Sequence, residues 1–85
     1  MNIMERKNTE LIKEFNRYIR EHPEFANNIP NNANVVMQLE GDNAFNTWSD
    51  VVAKSHVEEG QPIVYIRIKR LKPIHSRIEE LEIVV

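Results

Sequence analysis

The sequence predicts a small α/β domain, α+β in the broader sense, with a two- to three-stranded sheet and helices packed on one face. Three observations predict it. An amphipathic helical period occupies the first quarter of the chain. Two short runs further on alternate apolar and polar residues. Between those runs lies a helical period of the length a crossover connection needs. The expected order is α-(short α)-β-α-β-(β), with a strand-helix-strand unit from Val35 to Ile68 and one domain over residues 1–85.

Leu11, Ile12, Phe15, Tyr18 and Ile19 recur at helical spacing, with Lys13, Glu14, Arg17, Arg20 and Glu21 filling the other positions. A helix from about Met4 or Thr9 to Glu21 follows, closed by Pro23, whose ring disfavours helical geometry at His22. Pro23 suits the first position of a new turn, so Pro23–Asn28 reads as a short second helix with Phe25 and Ile29 tucked inward. Pro30-Asn31-Asn32 reads as a turn, and the Asn residues between Asn27 and Asn34 fit turn geometry.

Asn34–Glu40 alternates as a strand with Val35, Met37 and Leu39 on one face, and Gly41 ends it. Asp42 is placed to cap a helix running to about Val57 or Glu58, with an inner stripe of Phe45, Trp48, Val51, Val52 and Ser55 and with Gly60 as terminator. Ile63–Lys69 is the clearest strand: Val64, Ile66 and Ile68 face one way and Tyr65, Arg67 and Lys69 the other. The simplest connection is a right-handed crossover, which makes the two strands parallel and lays the helix over their shared apolar face. Glu80-Leu81-Glu82-Ile83-Val84-Val85 alternates charge with aliphatic side chains and reads as a candidate third strand.

A chain of 85 residues buries only about 60 to 65% of its unfolded surface. With no Cys and three scattered His, the disulfide and metal routes to extra stability are closed, which leaves oligomerisation. The 41% hydrophobic and 28% charged content excludes a disordered chain. No run approaches the 20 or so apolar residues of a membrane span, and Met1–Lys7 holds no apolar signal core, so a cytoplasmic location without membrane partners is expected. A net charge of −2 gives no overall field toward nucleic acid, so any such attraction is local.

The local concentration is Arg67, Lys69, Arg70, Lys72 and Arg77, with His75 among them and no acid interrupting. Such a run can meet phosphates. It can equally be a solvated sheet face neutralised by Glu79, Glu80 and Glu82, if a third strand sets acids across from Arg67 and Lys69. His22, His56 and His75 lack metal-site spacing, and the serines lack the glycine-flanked elbow of a nucleophile. Asp42 and Asp50 are explained as a cap and a solvated acid. Neither a catalytic residue nor a cofactor is predicted. Phe45 and Trp48 read as core, with a small-molecule or enzyme pocket beside Trp48, Tyr65 and His75 as the alternative.

Two stretches carry a resemblance: Glu14–Ala26 (EFNRYIREHPEFA) with Ile29-Pro30, and Gly60–Lys69 (GQPIVYIRIK). They resemble a family of short single-domain prokaryotic proteins described as domain of unknown function 5647. The resemblance covers nearly the whole chain and implies a stand-alone bacterial or archaeal protein, with no activity or site residues to carry over.

The function expected from the residues is therefore interaction. A small adaptor or regulatory protein is anticipated, self-associating or bound to a protein partner, as in one half of a paired system such as toxin and antitoxin. A short sheet has edges that must be paired, covered or blunted, and Val36, Ile63, Tyr65 and the aliphatic C-terminal run offer edge and surface. Tyr65, Arg67, Lys69, Arg70, Lys72 and Arg77 are the candidate contact residues for a partner or, as the alternative, for nucleic acid.

Overall fold

The computed structural model describes residues 2–85. The first helix, α1, runs Ile3–Glu21 and opens on Asn2, whose side chain accepts from the Glu5 N–H at 2.8 Å. That bond satisfies one of the otherwise orphaned N–H groups of the first turn, and Glu5 and Arg20 sit at the ends their charges favour. Leu11 is the residue α1 buries, with Met4 and Phe15 packed beside it. The helix stops at Glu21, where the sequence sets its end. The His22 N–H closes on Tyr18 C=O at 2.8 Å, and Pro23 starts a 3-10 helix, Pro23–Asn28. Phe25 does not turn inward as expected: it is exposed and meets Tyr18 edge-on at 5.4 Å, while His22 stacks on Tyr18 at 4.2 Å. Ile29 is half-buried.

The strands β1, Asn34–Leu39, and β2, Ile63–Ile68, are parallel and in register from Asn34↔Ile63 to Leu39↔Ile68. Between them lies the helix α2, Asn43–His56. A turn from Leu39 to Asp42 leads into it, closed by Asp42 N–H to Leu39 C=O at 3.0 Å. Gly41 takes φ +90° there, a conformation that a side chain disfavours. Gly60, at φ +78°, serves the same purpose in the Glu58–Gln61 turn that feeds β2. Asp42 caps α2 by accepting from Phe45 N–H at 3.1 Å, and its other oxygen is held by Lys7 of α1, so one carboxylate fastens both helices. That double engagement, Lys7 first and the backbone N–H second, holds the Asp42 pKa below its ordinary value.

Leu11, Met37 and Phe45 form the core, lined by Leu39, Trp48, Ile66 and Ile68. The order α-(3-10)-β-α-β realises the predicted class. The candidate third strand is absent, since residues 80–85 form no strand, and the sheet has two strands, the smaller of the two numbers expected. The stripe of α2 differs from the expected one: Phe45 and Ser49 are buried, Trp48 is half-buried, Val51 is 61% exposed, and Val52 and Ser55 are exposed as well. The reason is where the helix sits. It packs against β1 and makes no comparable backbone approach to β2, so it flanks one strand instead of spanning both. Val36, expected at an accessible surface, is 2% exposed. No helix among the described residues is long and apolar enough to cross a membrane.

Candidate functional site

In a parallel ladder each residue of a strand bonds its neighbour on one side only, alternating along the chain. The Asn34 N–H donates to Pro62 C=O at 2.8 Å and the Glu40 N–H to Ile68 C=O at 2.9 Å. Even-numbered residues of both strands therefore face the ladder. Odd-numbered ones, 35, 37 and 39 on β1 and 63, 65 and 67 on β2, present their N–H and C=O groups outward.

The outer edge of β1 is occupied by α2. The Asn46 carboxamide accepts from Leu39 N–H and donates to Leu39 C=O, both at 2.8 Å, matching the paired contacts a neighbouring strand would make. One turn on, the buried Ser49 hydroxyl donates to Met37 C=O at 2.9 Å. At the far end Asn34 Nδ2 donates to Ala53 C=O at 3.2 Å. Asn46, Ser49 and Ala53 are spaced three and four apart, one face of a helix. That stripe of small side chains, polar at Asn46 and Ser49, is the signal that apolar periodicity passes over.

The outer edge of β2 has no such cover. Among the described residues no hydrogen bond engages the backbone N–H or C=O of Ile63, Tyr65 or Arg67 on that side. The two faces beside this edge differ. Val64, Ile66 and Ile68 lie half-buried on the core side, while Tyr65 and Arg67 are exposed on the other. Tyr65 reaches across its register partner Val36 to donate its hydroxyl to Asp50 Oδ1 of α2 at 2.6 Å, and Lys54 Nζ holds Asp50 Oδ2 at 3.0 Å. These bonds, Tyr65 first and Lys54 second, lower the Asp50 pKa; the same contact, which stabilises the neutral phenol, raises that of Tyr65. An open hollow of about 460 Å³ lies here, lined by Gln38, Asn46, Asp50, Tyr65 and Arg67.

Of the sequence-derived contact residues, Tyr65 and Arg67 thus share one hollow, and Lys69, Arg70, Lys72 and Arg77 follow along an exposed, irregular segment. The ion pairs among the described residues are Lys7–Asp42, Lys13–Glu10, Arg17–Glu14 and Lys54–Asp50, so Glu79, Glu80 and Glu82 do not neutralise the basic run within the chain. Trp48 and Tyr65 line separate hollows, and His75 lies apart in the exposed segment, so those three do not converge. No three His, Cys, Asp or Glu side chains among the described residues gather as metal ligands would.

Every residue from Lys69 to Val85 is exposed. The radius of gyration, 16.6 Å, exceeds the value of about 12 Å for a compact chain of this length, in keeping with a segment carried away from the core. Leu81, Ile83, Val84 and Val85 stand in water together with Leu71 and Ile74.

Comparison with curated proteins and with solved structures gives no match. Residues 3–81 match the sequence model of the family of unknown function DUF5647, and the chain belongs to that family.

Proposed function

We propose that this protein is a small interaction module that self-associates by adding a strand at the outer edge of β2. The observation that carries the reading is the contrast between the edges: β1 is closed by Asn46 and Ser49, while β2 presents unengaged backbone groups at Ile63, Tyr65 and Arg67. An open edge beside half-buried aliphatic side chains is a template for strand addition, in which backbone bonds give affinity and flanking side chains give selectivity. The lack of Cys accords with work in a reducing, cytoplasmic setting.

Arg67→Pro tests the proposal. The Arg67 N–H points away from β1, so proline there leaves the internal ladder intact and blocks the edge. Light scattering after size-exclusion, over a concentration series to high micromolar, should show association by the native chain and none by the variant. A native chain that stays monomeric throughout, or a variant that associates equally well, overturns the reading.

A second reading has one observation in its favour: Arg67, Lys69, Arg70, Lys72 and Arg77 are in no ion pair among the described residues. Nucleic-acid binding by that run predicts affinity for labelled single- or double-stranded oligonucleotides that falls steeply with salt. Absence of binding at low salt removes it.

A further inference from the structure

The open edge and the exposed Glu80–Val85 run have matching patterns, and the match selects an occupant. Alternation gives β2 one face of Val64, Ile66 and Ile68 and another of Tyr65, Arg67 and Lys69. The same alternation gives the run one face of Leu81, Ile83 and Val85 and another of Glu80, Glu82 and Val84. Laid antiparallel, a single register satisfies both faces at once. Lys69 meets Glu80, Arg67 meets Glu82 and Tyr65 meets Val84; on the core side Ile68 meets Leu81, Ile66 meets Ile83 and Val64 meets Val85. A parallel alignment that keeps Arg67 opposite Glu82 sets Tyr65 against Glu80 and Lys69 against Val84, losing an ion pair.

We infer that residues 80–85 of a second copy of this chain pair antiparallel with β2 in this register, and that the exchange is reciprocal, giving a two-fold dimer. This rests on the edge reading above and names its occupant. Three observations favour a second copy over the chain's own run. Residues Arg70 to Glu79 form a ten-residue link, well beyond the two to five residues usual in hairpins. Pro73 within it disfavours a tight return at Lys72. The segment as folded is exposed throughout and carried off the core, leaving its aliphatic side chains in water until another copy covers them. Reciprocal exchange closes after two copies, because each chain's run lies on the other's edge and leaves neither site open.

A charge swap between chains tests this. Arg67 and Glu82 are both exposed, so Arg67→Glu and Glu82→Arg leave the fold intact by circular dichroism. Alone, each variant sets like charges opposite one another at both exchanged sites of its dimer, and sedimentation should show association weakened by about tenfold or more. Mixed in equal amounts, the two variants restore opposite charges at both sites. The mixture should regain native association, with the heterodimer dominant in native mass spectrometry. If both variants associate as the native chain does, or mixing restores nothing, the named occupant and register are overturned. In that outcome, loss of association in Arg67→Pro still upholds the edge reading. A native chain that never dimerises removes both, and covers the case in which the run folds back on its own β2.

Discussion

The two outer edges belong to strands of six residues each, paired in perfect register, yet they are finished in opposite ways. At β1 the outward groups of Met37 and Leu39 are bonded by side chains of α2, and the carboxamide of Asn46 makes both bonds to a single residue. At β2 the equivalent groups of Tyr65 and Arg67 have no partner among the described residues, and the neighbouring side chains are only half covered. The difference shows that edge protection here comes from where the helix lies, since the same crossover element that joins the strands also seals one of them. Having been used on β1, it is not available to β2.

The largest expected effect comes from putting the same residue at both edges. Leu39→Pro removes the N–H bonded to Asn46 together with the Leu39 packing against the core, and should cost at least about 3 kcal/mol, enough to unfold much of so small a domain. Arg67→Pro, in urea denaturation at concentrations where the native chain is monomeric, should stay within about 0.5 kcal/mol of native. Equal losses from the two substitutions would mean the edges are not distinct.

Asn46→Ala comes next. It leaves the Leu39 N–H without a partner in a part-buried setting, while the Leu39 C=O keeps the Asp42 N–H, and should cost about 2 kcal/mol, read from the shift in urea midpoint at unchanged slope. An associated second effect is expected: with β1 partly open, the variant should form larger species than the native chain in light scattering.

The smallest effects are in pH. Asp42 and Asp50 have folded pKa values below the ordinary 3.8, so their contribution is present above that value and is lost as pH falls through the lower folded one. Tyr65 is raised above 10.0, so its contribution is present below that value and is lost as pH rises through the folded one. Tyr65→Phe should abolish the alkaline loss and leave the Asp42 part of the acid loss. The melting temperature followed across pH measures both, and an unchanged alkaline limb in Tyr65→Phe would show that the bond to Asp50 does not carry it.

Much of the architecture is legible in the residues. Pro23 ends α1 at Glu21 because proline restricts the residue before it, and the alternation of Ile63–Ile68 yields the strand and its two faces. The docking of α2 is not legible in the same way. Val51 and Val52 look like an inner stripe only if a helix must bury apolar side chains; a helix lying along a strand edge must instead satisfy backbone groups, which selects Asn46 and Ser49. Residues 80–85 show the converse. Their alternation is that of a strand, but a strand needs a neighbour, and pattern alone does not say which molecule supplies it. Tyr65 and Arg67 were identifiable as an outward face, whereas their meeting with Asp50 and Gln38 depended on the register of the two strands.

The seal that Asn46 and Ser49 place on β1 also sets the valence of the molecule. A sheet receptive at both edges is a bifunctional monomer, free to add units at either end and to grow into a fibre. With one edge closed by its own helix, this two-stranded sheet can accept an added strand at β2 alone.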